Sequence, residues 1–362
     1  MQEKRESSPT NQPLNRFDIS PEIHEKMRKN LLYGFMFAVV MIFAGLTSGY
    51  IVSQGGVFWV SIKMPSAFMY STIAIIASSI FLVLAKRFTK KGDYSKAKGS
   101  LGIAFVLGAI FGVFQFQGWG QLTEKGSHLA GDIINIHGQY GKYYTLLYDG
   151  KEISYNDNVF YSKGEPISDE LKQEMKDFAQ KLVEGSKSEG RVYKLTGYGA
   201  PFSLRYDGDL VTYTNNTLQL NGVLLSEIYH DRLWHFAKNI VEDRGDFIIK
   251  GKYGEDFTLY YGGKPLEYEN RKFYLDGLPL SAKRLNDLNS QRNTASSYIY
   301  AFTLVHLLHW IGGIIALLVM FIKGLQLKYT QNNFLGITLG STYWHFLGII
   351  WLYLYAFLIF IH

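Results

Sequence analysis

The sequence predicts a multi-pass α-helical membrane protein of five transmembrane helices, interrupted by an inserted α+β domain of three internal repeats. Three observations lead there. Five apolar runs reach roughly 20 residues, enough at 1.5 Å per residue to cross a hydrocarbon core of about 30 Å. The charge is partitioned: Glu124–Arg292 holds 22 Lys+Arg against 25 Asp+Glu, and the remainder 15 against 6, so the overall +6 belongs to segments flanking the apolar runs. The polar block between the third and fourth runs repeats one pattern three times at constant spacing.

These totals also exclude function classes. With no cysteine there is no disulfide, thiolate metal site or cysteine nucleophile. Basicity confined to membrane-flanking segments gives nucleic-acid binding no support.

In chain order, residues 1–30 are polar and mixed in charge, ending Glu25-Lys26-Met27-Arg28-Lys29. They are too long and too acidic for a signal-peptide n-region, and read as a cytoplasmic N-terminal segment, partly disordered. Transmembrane helices 1–3 fill residues 31–122: Leu31–Ser53, Pro65–Ala85 and Gly99–Leu122. Helices 4 and 5 lie in 297–362, at Tyr298–Ile322 and Gly340–Ile361. The loop from Lys86 to Lys98 carries six positive charges, whereas the loop between the first two spans holds only Lys63. By the positive-inside rule the N-terminus, the 86–98 loop and the 323–338 loop are inside. Residues 123–296 and the C-terminus are then extracytoplasmic.

The inserted block divides at about 131–190, 191–244 and 245–292. Tyr140-Gly141, Tyr198-Gly199 and Tyr253-Gly254 open the units. Gly150, Gly208 and Gly263 follow at one offset, then Gly164, Gly222 and Gly277, then Ser168, Ser226 and Ser281. Asp-Gly suits a two-residue hairpin turn, and runs such as Phe257–Tyr261 are β-branched and aromatic. Asn156-Asp157-Asn158, Asn215-Asn216 and Asn270 mark a second turn. The serines stand where helix N-caps are needed, and Leu171, Met175, Phe178 and Leu182 form one helical face behind the first. Each unit is thus a small β-meander followed by a helix. None buries much surface alone, so the three are expected to pack together.

Candidate chemistry is sparse. His306 and His309 share a helix face at i and i+3, and His345 lies in the last span. At 1.5 Å per residue His309 sits roughly 16 Å from the outer edge and His345 about 6–8 Å from the inner edge, so the three are not expected to share an ion. Hydrogen bonds to neighbouring helices are the expected role. His137, His230 and His235 occupy unrelated positions relative to the repeat markers, which argues against a repeated catalytic site. The tyrosine-rich strands read as core in preference to a ligand surface, and Ser168, Ser226 and Ser281 as caps in preference to nucleophiles. No catalytic, cofactor-binding or metal-binding residue is assigned.

Several stretches carry a resemblance. Tyr343-Trp344-His345-Phe346 with Trp351–Tyr355 resembles the final helix of cytochrome c oxidase subunit III. Thr303…His306-x-x-His309…Gly312-Gly313 looks like that family's threonine, histidine-x-x-histidine, glycine helix. Pro65…Thr72…Ser78-Ser79 and Phe35–Tyr50 are similar to two earlier helices. The resemblance covers all five spans in order and implies the five-helix bundle of shorter bacterial members, in the bacterial inner (plasma) membrane. His306, His309, Trp344 and His345 are then family-motif residues with a structural and assembly role.

The resemblance further implies a non-catalytic subunit III of a haem–copper terminal oxidase in aerobic respiration, supporting assembly, lipid binding and sustained turnover. Such a subunit binds no redox cofactor itself; phospholipid is expected, with haem and copper in partner subunits. The expected partners are the catalytic subunit, other oxidase subunits, membrane lipids and, through 123–296, a partner respiratory complex. Whether the complex would oxidise cytochrome c or a quinol stays open. The sequence departs from the family where Val39, Gly118 and Gly348 replace membrane carboxylates, and in the insertion. The rival reading is a membrane-anchored extracytoplasmic binding module unrelated to respiration.

Overall fold

The computed structural model describes residues 20–55, 58–156 and 158–362. Most of the expected N-terminal segment, and Asp157 of the first unit's second turn, lie outside these. The described residues contain five helices long and apolar enough to cross a membrane. They are α1 (Pro21–Ser53), α2 (Ser66–Lys91), α3 (Tyr94–Glu124), α7 (Thr294–Leu325) and α8 (Leu335–Phe360). Helix α1 begins well before the apolar run at Leu31, with Glu25 and Lys29 paired at 2.5 Å across one turn.

The bundle packs on small residues. Gly92 takes φ 78° to end α2, and Asp93 accepts the N–H of Lys96 to start α3, so the two helices turn sharply into a hairpin. A Cβ on Gly118 of α3 would lie 2.3 Å from the Phe68 ring of α2, and one on Gly112 2.4 Å from the Trp310 ring of α7. Across the α2–α3 seam, Ser78 donates to the Ala104 carbonyl at 2.8 Å. Leu31, Phe37 and Val113 turn outward and are largely exposed, as lipid-facing side chains are.

Between α3 and α7 the three units are present, each with strands before a helix. The first holds β2 (Tyr144–Tyr148), β3 (Lys151–Asn156), β4 (Val159–Ser162), β5 (Glu165–Pro166) and α4 (Asp169–Lys187). The second holds β6 (Phe202–Tyr206), β7 (Asp209–Thr214), β8 (Thr217–Leu220), β9 (Val223–Leu224) and α5 (Glu227–Val241). The third holds β10 (Phe257–Tyr261), β11 (Lys264–Pro265), β12 (Glu267–Glu269), β13 (Lys272–Leu275), β14 (Leu278–Pro279) and α6 (Ala282–Asn289). Pro265 stands where the others have Glu152 and Leu210, and there one strand breaks into β11 and β12.

The repeat markers have a structural cause. Each opening tyrosine clamps its own meander. Tyr140, Tyr198 and Tyr253 accept the N–H of Leu146, Leu204 and Leu259 at 3.2, 3.1 and 3.2 Å. The same hydroxyls donate to the carbonyls of Ile153, Val211 and Leu266. The glycines follow from turn geometry: Asp149-Gly150, Asp207-Gly208 and Gly262-Gly263 all have positive φ at both positions, the type I′ arrangement. Ser168 and Ser281 cap α4 and α6 by accepting the N–H of Leu171 and Arg284, and Ser226 occupies the N-cap of α5 without a side-chain bond.

The expectation that all three units pack together does not hold. The first two form one eight-stranded sheet, β5-β4-β3-β2-β6-β7-β8-β9, joined antiparallel through β2 and β6, with Leu146 opposite Leu204. Their core of Tyr140, Met175, Leu182, Tyr193, Leu204 and Phe236 is separate from that of the bundle. A parity argument explains the exclusion of the third unit. The opening strand of each unit has one edge left after its own hairpin, and pairing β2 with β6 uses both.

Strand β10 instead pairs with β1 (Phe58–Ile62), a strand in the loop between α1 and α2. The third unit thereby joins the bundle core, where Phe247, Leu259, Phe273 and Leu288 are continuous with Tyr50, Trp59 and Phe302. Arg271 ties it back to the first pair. The guanidinium meets Asp246, 2% exposed, at 2.6 Å and also donates to the Tyr140 carbonyl.

Candidate functional site

Two of the motif residues, His306 and Trp344, lie at the centre of the bundle, and the sequence explains how. Trp344 of α8 is fully buried because α3 and α7 present glycines to it: a Cβ on Gly108 would lie 2.9 Å from its ring, and one on Gly313 3.1 Å. Three helices therefore meet around one indole.

One face of α7 carries Thr303, His306 and Trp310. Trp119 of α3 donates to Thr303 Oγ1 at 2.8 Å, and Trp310 donates to the Gly108 carbonyl at 3.0 Å. Between these two bonds lies His306, with no exposed surface and with the rings of Trp351, Phe111 and Phe43 at 5.3, 5.8 and 6.3 Å. Trp351 in turn donates to Thr72 of α2 at 2.9 Å, and Gln115 of α3 donates to Ser71 of α2 at 2.9 Å. Thr72 and Trp351 belong to the stretches that carry the resemblance, whereas no motif in the sequence points to Ser71 and Gln115. Gln115, one of three glutamines in the third apolar run, was the available signal, since a buried amide needs partners on other helices.

The three motif histidines part ways. His306 and His309 share a neighbour, Phe43 of α1. His309 is half-buried and its Nδ1 donates to its own helix at the Val305 carbonyl, 2.7 Å away, which places the proton on Nδ1. His345 faces the other way, into a groove of about 350 Å³ that it lines with Ile75, Ser79 and Gly348. The expected interhelical hydrogen bonds are thus corrected: His309 bonds within α7, and neither nitrogen of His306 meets a partner among the described residues. Among those residues no three His, Cys, Asp or Glu side chains stand close enough to hold a metal ion.

The structure places the three positions where the resemblance implies carboxylates in different surroundings. Val39 is buried, Gly118 lies under the Phe68 ring, and Gly348 sits against Ser79 and Ile75.

At the end of the bundle that carries the insertion, a second network was missed from sequence. Trp59 of β1 donates to the Tyr50 hydroxyl at 3.1 Å, which lies 2.6 Å from His362 Nδ1. The Ile62 N–H donates to His362 Nε2 at 2.9 Å. An amide N–H only donates, so Nε2 is bare and Nδ1 carries the proton. Burial pushes the His362 imidazole down to about 4, in keeping with this neutral tautomer.

In the insertion, His230 packs on Tyr193, with Nδ1 2.7 Å from its hydroxyl, and burial lowers its pKa. His235 accepts from Asn135 at 3.1 Å, and burial lowers its pKa too. The rings of His137 and His235 lie 6.2 Å apart, so the fold does bring together two of the three histidines that sequence position kept separate.

Comparison with known proteins follows the motif. Residues 291–362 match the family Cytochrome c oxidase subunit III. Similar curated proteins are named cytochrome c oxidase subunit 3. That of Loxodonta africana is 28% identical over 141 residues, 39% of this chain and 46% of the relative. Those of Ceratotherium simum and Phoca vitulina are each 37% identical over 17% of this chain, covering 23% and 26% of their own lengths. The chain thus spans less than half of these relatives. No solved structure matches. The C-terminal region, α7 with α8, is thus the part of the chain that is similar to cytochrome c oxidase subunit III.

Proposed function

We propose that the chain is the non-catalytic subunit III of a haem–copper terminal oxidase. The observation that carries this reading is a coincidence of places: the matched region 291–362 holds His306 and Trp344, and both are fully buried at the centre of the bundle. A motif used for packing suits a subunit whose task is to hold a shape against a neighbour. Electron transfer and oxygen reduction then belong to partner chains, with haem and copper there. Helix faces rich in exposed Ile, Val and Phe supply the surface for the catalytic subunit and for phospholipid. The insertion serves as a docking platform toward other subunits or a partner respiratory complex. It is held at both ends and along β1, so a docked partner would be set rigidly relative to the bundle.

The orientation we favour puts the basic loops inside and the insertion outside, in a bacterial plasma membrane. Native purification tests the central claim. Co-isolation with a haem-containing catalytic subunit is the expected result, and isolation of the chain alone from gently solubilised membranes would refute it.

A further inference from the structure

Several buried polar atoms of the bundle have no protein partner among the described residues, Trp344 Nε1 and Ser341 Oγ of α8 among them, and two sets lie on the facing helices α3 and α7. The first is His306, fully buried, with both ring nitrogens unpartnered among the described residues. A neutral imidazole carries one donor and one acceptor, and in hydrocarbon an N–H left without an acceptor is costly. The second is Gln115, 1% exposed, whose Oε1 is likewise unpartnered. Its orientation is determined by its neighbour. Ser71 gives its hydroxyl proton to the Phe68 carbonyl at 2.8 Å, so its oxygen is left to accept, and the group that reaches it at 2.9 Å must be the Gln115 amide NH₂. The carbonyl end of Gln115 therefore has to find a donor elsewhere.

The two helices bring these groups level. Helix α3 meets α7 at Trp119–Thr303 on one side and at Phe111–His306 and Gly108–Trp310 on the other. Gln115 sits midway between Trp119 and Phe111 on the same stripe of α3, facing the turn of α7 that runs from Thr303 to His306. Aromatic rings of Phe43, Phe111 and Trp351 close the space around the imidazole and offer it no lone pair.

We propose that an ordered water molecule is bound between His306 and Gln115, accepting the imidazole N–H and donating to Gln115 Oε1. Such a water joins α3 to α7 through side chains that do not meet by themselves, and it completes the polar layer begun by Ser71, Thr72 and Trp351. Water supplies both a donor and an acceptor, and buried waters characteristically serve two to four such groups. The inference stands on the bundle geometry and is independent of the oxidase reading.

Solid-state NMR of the full chain in lipid, labelled with ¹⁵N-histidine, tests it. The His306 ring signal is the one missing from His306→Phe. Magnetisation transfer from water to that signal is expected in the parent chain and is expected to fall sharply in Gln115→Leu. Absence of transfer in the parent chain, or transfer unchanged in Gln115→Leu, would overturn the proposal. A thermal double-mutant cycle gives a second arm. Gln115→Leu and His306→Phe should together cost less than the sum of the single losses, because the double variant leaves no group in need of the water. Strict additivity counts against the bridge, and coupling without water transfer would mean a direct contact and equally defeat it.

Discussion

Trp344 shows what a motif residue does here. Its ring is seated between Gly108 and Gly313, so the tryptophan and the two glycines work as one packing unit. Trp344→Ala is expected to cost about 3–5 kcal/mol, the range for emptying a large aromatic site. Loss of bundle integrity should follow, read as a lower midpoint in thermal unfolding of the purified chain. An unchanged midpoint would show that the neighbours collapse into the space. A second residue-scale expectation concerns pH in the insertion. Burial first, and then the nearby Arg191, hold His230 below its ordinary pKa, partly opposed by Glu227. The folded state therefore keeps it neutral, and the unfolded state takes up its proton near pH 6.5. The stabilisation is complete above that value and is lost as pH falls below it. His235 adds the same sign. The melting point of the insertion should drop from pH 7.5 to 5.5, with a shallower slope in His230→Gln. A slope that stays the same would assign the effect elsewhere.

Among the elements, β1 has the largest consequence for its length. The Lys63 N–H donates to the Asp256 carbonyl at 2.8 Å. Antiparallel pairs alternate, so Trp59 and Ser61 also fall in the bonded set, while the Ile62 N–H turns out toward His362. Ser61→Pro removes a ladder donor and leaves a carbonyl on β10 unmet, a loss of about 1–3 kcal/mol. The third unit should then open to protease around Lys250–Lys264, with the sheet of the first two units unaffected. Equal protection of this stretch in the variant and the parent would mean that unit three holds to the bundle without the strand. The same element logic applies to Gly126, where φ is 82° and a Cβ would lie 2.2 Å from the Ile248 carbonyl. The chain leaves α3 at that crossing, and only glycine fits it.

At the scale of the whole molecule, the insertion is two bodies of different attachment. Units one and two have their own core, and unit three shares the core of the bundle. Replacing residues 136–245 by a short glycine linker joins positions that already face one another across the Ile134–Phe247 bridge. That deletion should leave the five helices inserted and their stability near that of the parent. Extending it through residue 284 strips β1 of its partner and should destabilise the insertion-side end of the bundle. Equal stability of the two deletions would contradict the division. If the platform docks a partner, the shorter deletion alone should abolish that association. Topology is the other molecular-scale expectation. The predicted inside segments hold 14 Lys+Arg against one in the short outside loop. Protease added from outside should cut within 124–292 and spare 86–98, and cleavage at Lys90 in sealed membranes would reverse the orientation.

Periodic and compositional features were legible from the chain alone. Five apolar runs demand five helices, because an unpaired backbone is not tolerated in hydrocarbon. Asp-Gly and the cap serines declare turns and helix starts through φ and local hydrogen bonds, and Tyr343–Phe346 with His306-x-x-His309 carried the family resemblance. These signals are local, and local signals survive without coordinates. What the tertiary structure decided is everything that needs two distant segments to meet. Three similar opening strands contain no instruction about which two pair, and Phe58–Ile62 shows its role only once β10 is left without a sibling. Gln115 and His306 read as isolated polar residues in apolar runs until the crossing of α3 and α7 sets them at one depth. Pairing of like with like is settled by geometry and by the number of free edges, and neither is written in any single stretch of sequence.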